Sequence, residues 1–157
     1  MPSLRPHRLD GLGHGPFTAV TGVRIPLGTP LTFFTTIVGV MKHQSWDAIP
    51  KEQMSPTFSR QVIHTDSMTL AKVYLKAGCH VPEHSHPNEQ VSFIYEGALR
   101  FKFAPDGKEV IVRAGEFVQI PSGLPHGAVA LEDTVGLDVF TPQRQDWISG
   151  DDSYLRK

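Results

Sequence analysis

One cysteine, Cys79, stands among 157 residues, which excludes an internal disulfide framework and any all-cysteine metal site. An excess of charge of one sign is lacking too. Fifteen Lys and Arg against sixteen Asp and Glu give a formal net charge of −1, with no basic block and no long acidic run, so nucleic acid is not an expected partner. Long hydrophobic runs are also missing. The apolar stretch Leu31 to Met41 has about half the roughly 20 residues a membrane span needs, and Thr32, Thr35, Thr36 and Gly39 interrupt it. No membrane association is expected from it. As a signal peptide it is poor, because Arg5 and Arg8 lie far upstream and no A-x-A cleavage site follows. What the chain has in quantity is turn chemistry, with 14 Gly and 13 Pro beside 39% apolar residues. One soluble domain plus a tail is the expected organisation at this length.

Residues 1–40 are interrupted so often by Pro, Gly and Thr that no helical or alternating period lasts. They are expected to form a disordered or loosely packed extension over residues 1–43, ahead of a domain over residues 44–157. Met41, immediately before the domain-like sequence, is a candidate initiator. Ser45 to Ala48 reads as a helical turn ended by Pro50. Short strand-like runs then follow about 8–12 residues apart: Thr69–Lys76, Gln90–Tyr95, Ala98–Phe103, Glu109–Val112, Phe117–Ile120, Gly127–Leu131 and Thr134–Phe140. Turn sequences such as Glu96-Gly97, Pro105-Asp106-Gly107 and Pro121-Ser122-Gly123 connect them, leaving no room for crossover helices. An antiparallel sandwich or barrel is predicted. Beyond Pro142 the chain is polar, with Trp147 and Tyr154 as candidate anchors against it.

Chemistry concentrates in Gly78 to Gln90. On an extended strand residues two apart share a face, so His84 and His86 point the same way, and Gln90 has the same parity. Two neighbouring imidazoles inside a barrel suit a shared divalent cation, although a His-x-His by itself is common on surfaces. Glu89 has the opposite parity and reads as a surface or supporting residue. His80 is expected in the loop leading into the motif, Cys79 as a small buried residue, and His64, His43, His14 and His7 have no partner pattern.

A second stretch, Gly115 to His126, changes the weighting. The first stretch has Gly78, five residues, His84-x-His86, three residues, Gln90, six residues and Gly97; the second has Gly115, five residues, Pro121-x-Gly123, two residues and His126. Together they resemble the two motifs of the cupin superfamily, departing at Ala130, where Asn is frequent. The resemblance implies an all-β jelly-roll barrel of antiparallel strands. It also implies that His84, His86, Gln90 and His126 hold one divalent metal ion, Ni, Fe, Mn or Zn. With Gln in place of the Glu of many cupins the ligands are all neutral, so a bound cation keeps its full charge toward an anionic small-molecule substrate.

In Thr134 to Thr141, Val135, Leu137 and Val139 share one face and Gly136, Asp138 and Phe140 the other, and periodicity leaves open which face looks inward. The combination of His84-to-Gln90 with Asp138-to-Arg144 is similar to the small pectin-degradation cupins of the KdgF type, which open the ring of 4,5-unsaturated uronates. That narrower resemblance implies catalytic roles for Asp138 as proton carrier, Arg144 as a bidentate carboxylate clamp and Phe140 as an apolar wall. An iron-dependent cupin dioxygenase and a non-catalytic small-molecule-binding cupin are the alternatives. A homodimer in the cytoplasm is expected.

Overall fold

The computed structural model describes residues 41–156. The expected loose extension lies, up to residue 40, outside the described residues; residues 41–45 are exposed and without regular structure. After a 3₁₀ turn at Trp46–Ala48 come ten strands: β1 (Glu52–Ser55), β2 (Phe58–His64), β3 (Thr69–Leu75), β4 (His80–His84), β5 (Glu89–Glu96), β6 (Ala98–Phe103), β7 (Glu109–Arg113), β8 (Phe117–Ile120), β9 (His126–Ala130) and β10 (Thr134–Thr141). A one-turn helix, α1 (Gln145–Ile148), and a second 3₁₀ turn at Ser153–Leu155 complete the described chain. The strands form a six-stranded sheet, β1-β2-β3-β10-β5-β8, and a four-stranded sheet, β4-β9-β6-β7. Every strand pair is antiparallel. This is the antiparallel arrangement predicted from the turn spacing, in the double-sheet jelly-roll form that the resemblance implies.

Alternation makes each strand two-faced. β3 buries Thr69, Ala71, Val73 and Leu75 and leaves Leu70, Lys72 and Tyr74 partly exposed. The inward residues of both sheets form one core containing Phe58, Val73, Leu75, Ile94, Leu99, Phe101, Val112 and Phe140. Each large side chain buried there stabilises by about 1.5–3 kcal/mol relative to exposure. The motif glycines Gly78, Gly97, Gly115 and Gly123 have φ of 75–85°, the left-handed region. Gly97 is also a close approach: a Cβ on it would collide with the Asp133 carbonyl oxygen.

Three strands went unforeseen. β2 shows no alternation because both its faces are covered: Phe58, Ser59, Arg60 and Gln61 are all buried. The Gln61 amide donates to the Trp46 and Ile49 carbonyls, each at 2.6 Å, which fastens the first 3₁₀ turn over one face. On the other, Arg60 bonds Asp152 of the C-terminal segment. β4 contains Pro82 and lies at a sheet edge with irregular pairing between Val81 and His84, the setting in which a strand tolerates proline. His80 begins this strand and is exposed, which corrects its expected place in a loop.

Phasing of β10 answers the orientation that periodicity left open. Gly136 and Phe140 are buried and Asp138 lines an internal cavity, while Val135, Leu137 and Val139 stand on the partly exposed outer face.

Candidate metal centre

Three imidazoles converge at one mouth of the barrel from three positions in the chain. His84 ends β4, His126 begins β9 directly opposite it, and His86 reaches in from the loop between β4 and β5. The predicted shared face of His84 and His86 is thus reached by a loop rather than by a continuous strand. The His86 carbonyl accepts from Gly123 N at 2.8 Å, tying this loop to the second motif. Ring centroids lie 4.6 Å apart for His84 and His126, 5.2 Å for His86 and His126, and 5.7 Å for His84 and His86. One ligand atom from each of the three falls within 4.8 Å of the others.

The tautomers follow from the backbone. His84 Nδ1 faces the Pro82 carbonyl at 2.9 Å, His86 Nδ1 the Asn88 carbonyl at 3.0 Å and His126 Nδ1 the Leu124 carbonyl at 2.8 Å. Each Nδ1 therefore donates its proton outward and each Nε2 keeps a lone pair. Burial holds the imidazoles neutral, lowering His84 and His86 to about 4 and His126 in the same direction. The positive charge of Arg144 adds to the fall of all three.

Two details show that this donor set fits a cation. His126 Nε2 is buried and has no hydrogen-bond partner among the described residues, as suits a metal-ligand atom. His86 Nε2 lies 3.0 Å from Gln90 Oε1. With Nδ1 bonded to a carbonyl and the ring neutral, these are two acceptors face to face, a contact that becomes favourable when a positive ion sits beside both. The Gln90 amide is fixed that way round because its Nε2 donates to Ser92 Oγ at 2.8 Å.

The hydrogen bonds run onward from Ser92, whose hydroxyl donates to Asp138 Oδ1. Ser92 and Asp138 are register partners across β5 and β10, so the link is built into the sheet. Burial raises the Asp138 carboxyl to about 6, against the lowering effect of the Ser92 and Gln90 hydrogen bonds and the charge of Arg144. Phe140, two residues on, is 2% exposed and meets the His86 ring edge-on at 5.4 Å.

Arg144 sits beside the same cavity, but its fork is spent. Nε and Nη2 bond the two carboxylate oxygens of Asp146 at 2.9 and 2.6 Å, and Nη2 also donates to the Tyr154 hydroxyl at 2.8 Å. The bidentate grip on a substrate carboxylate is corrected accordingly: only Nη1, buried and without a partner, is left. Glu89 and His80 are exposed, and Cys79 is buried as a free thiol.

The candidate anchors Trp147 and Tyr154 do pack against the barrel, and their part in lining the cavity is what the sequence left unseen. Trp147, Tyr154 and Leu155 line the cavity together with the barrel residues, and the Tyr154 ring lies 4.9 Å from that of His84. Trp147 packs under two guanidinium groups, Arg60 and Arg144, each 4.3 Å from its ring. Asp152 is buried and paired with Arg60 and with Arg156, and Glu52 pairs with the same two arginines. The cavity volume is about 60 Å³, room for a few waters.

Comparison with known proteins agrees with this construction. Residues 71–140 match the cupin domain family. An RmlC-like cupin from Shewanella frigidimarina is 26% identical and superimposes with a TM-score of 0.62, covering 68% of this chain and 96% of that one. KdgF from a Halomonas species is 27% identical with a TM-score of 0.59, covering 64% of this chain and 94% of its own. The 3-hydroxyanthranilate 3,4-dioxygenase of Neurospora crassa is 28% identical over 88 residues, which are 54% of this chain and 47% of that enzyme. This chain spans about half the length of the curated relatives it matches.

Proposed function

We propose, from the premise that this chain belongs to the cupin superfamily, that it is a metal-dependent enzyme opening the ring of an unsaturated uronate or a similar sugar acid by proton transfer. The observation that carries this reading is Asp138, a carboxyl on the inner wall of the barrel, beside the same cavity as His84, Gln90 and His126 and raised to about 6 by burial. A group titrating there can both take and return a proton near neutral pH.

His84, His86, His126 and Gln90 would hold the cation, one of Ni, Fe, Mn or Zn. When bound, it supplies Lewis-acid stabilisation for negative charge developing on a substrate oxygen. Asp138 moves the proton through Oδ2, because Oδ1 is engaged by Ser92. Arg144 Nη1 gives the substrate carboxylate one charge-assisted hydrogen bond. Phe140 supplies the apolar wall, and Trp147 and Tyr154 keep bulk water out. The cavity of about 60 Å³ is well below the roughly 300 Å³ of an ordinary ligand pocket, so it has to widen to admit a sugar acid, and the C-terminal residues Trp147, Tyr154 and Leu155 are the part of its lining that lies outside the sheets.

Purified, metal-loaded protein is expected to accelerate loss of the conjugated enol-ether absorbance of 4,5-unsaturated galacturonate. A rate equal to the uncatalysed one overturns the reading. The dioxygenase among the relatives keeps a second reading open, an iron-dependent oxygenase, and uptake of O₂ on turnover would favour it. The reading extends to a cytoplasmic homodimer. Its support is the exposed apolar outer face of the six-stranded sheet, where Phe93 and Phe117 pair across strands with centroids 5.4 Å apart and Tyr95 is 53% exposed. Sedimentation of a monomer at high concentration would count against it.

A further inference from the structure

Ser92 is fully buried on β5, between the candidate ligand Gln90 and the carboxyl of Asp138. Its hydroxyl has one proton to give, and that proton goes to Asp138 Oδ1. Toward Gln90 it can then act only as an acceptor, and it takes the amide Nε2–H at 2.8 Å. The chain of bonds is directional, from Gln90 to Ser92 to Asp138, and the contact of the Gln90 amide with the Asp138 carboxyl favours the same orientation, so the test reads the share that Ser92 adds.

That direction decides what the metal centre sees. An amide has a donor end and an acceptor end of nearly equal size, and rotation by half a turn exchanges them. In the observed orientation Oε1 faces His86 Nε2 at 3.0 Å, two lone-pair donors poised toward one point. In the flipped orientation the NH₂ group would face His86 Nε2 and bond it. That arrangement pairs the two side chains with each other and takes two ligand atoms out of use. Ser92, with its proton committed to Asp138, disfavours the flip because the amide oxygen would then meet a hydroxyl with no hydrogen to offer. We propose that Ser92 is a positioning residue that holds the Gln90 amide with its oxygen toward the cation, so that metal affinity is set in part by a residue that never touches the metal. The inference rests on the reading of Gln90 as a ligand.

The test is a double-mutant cycle read by competitive Zn²⁺ titration against a chelator, with thermal melts of the metal-free forms confirming that each variant folds. Ser92→Ala is expected to weaken Zn²⁺ binding by about 10–100-fold, the usual effect of removing a group that orients a ligand. Gln90→Glu replaces the amide by a carboxylate whose two ends are both acceptors, so there is no orientation left to hold. In the Gln90→Glu background Ser92→Ala should therefore change Zn²⁺ affinity by less than about threefold. Equal losses in both backgrounds, or no loss in either, overturn the positioning role. Gln90→Leu separates this from the reading beneath it: if Zn²⁺ affinity is unchanged in Gln90→Leu, Gln90 is not a ligand and both statements fall. If Gln90→Leu binds weakly while the cycle shows no coupling, the inference about Ser92 alone is refuted.

Discussion

The two ends of this barrel are built from the same strands and obey opposite rules. Along β5 the inward residues run Gln90, Ser92, Ile94; along β9 they run His126, Ala128, Ala130; along β10, read backward, Phe140, Asp138, Gly136. At one end alternation buries aliphatic and aromatic side chains, each of which stabilises by leaving water. At the other it buries imidazole, amide, hydroxyl, carboxyl and guanidinium, each of which costs free energy unless partnered. The sheets fix the geometry of both ends equally. The polar end therefore spends stability gained at the apolar end; of the three buried side-chain atoms left unpaired among the described residues, His126 Nε2 and Arg144 Nη1 belong to side chains that line the cavity, and Arg60 Nη1 does not.

The largest effect that separates the ends should come from Phe101→Ala in the apolar half. It is expected to cost about 3–5 kcal/mol in a denaturant titration while the folded fraction still binds metal. At the polar end His126→Ala should do the reverse. Divalent-metal affinity drops by more than about 100-fold, since it removes a ligand rather than a supporting group, while the cost to the metal-free protein is smaller than for Phe101→Ala, because an unsatisfied Nε2 leaves together with the Nδ1 bond to Leu124. His80→Ala, on the exposed start of β4, leaves metal content unchanged; full metal loading of His126→Ala would refute the centre.

Asp138→Asn keeps size and metal loading but cannot cycle a proton, so turnover on the unsaturated uronate should fall by about 10²-fold or more. An equally fast variant would move the proton carrier elsewhere, with Glu89 the next candidate. The smallest effect is on pH dependence. In metal-free protein, His84 and His86 take up protons near 4 when folded and near their ordinary value of 6.5 when unfolded, so between these limits the unfolded state binds more protons and stability falls with acidification. Asp138, raised to about 6, acts oppositely below that pH, since the folded state holds its proton more tightly. His126 shifts the same way as His84 and His86, so three imidazoles oppose one carboxyl and metal-free stability should fall as the pH is lowered from 6 to 4. Metal-free stability that stays flat across this window would mean the imidazoles are not buried neutral.

Legibility in the sequence divided along the same lines. Period and turn chemistry revealed seven of the strands, because β3, β5, β6 and β10 each have one wet face and one dry one. β2 was hidden, since Arg60 and Gln61 read as surface residues until their covers are known. Arg60 finds Asp152 across 92 positions of sequence, a distance over which no periodicity speaks. The motif spacing brought forward His84, His86, Gln90 and His126, while Ser92 passed as an ordinary small strand residue. Its importance lies in which way its single proton points, and that depends on Asp138 arriving beside it from another strand.

The position of Trp147 has an optical consequence. The chain contains two tryptophans, Trp46 and Trp147. Trp46 lies in the first 3₁₀ turn, whereas Trp147 is stacked between two guanidinium groups, edge-on to Phe140 at 5.1 Å and bonded through its indole N–H to the Tyr154 hydroxyl at 3.3 Å. Indole emission responds to nearby charge and to water, and outward movement of the C-terminal segment would change both. With Trp46→Phe as background, the protein becomes a single-emitter reporter of its own closure. Opening for a substrate would then be visible as a shift in fluorescence, with no label attached and no turnover required.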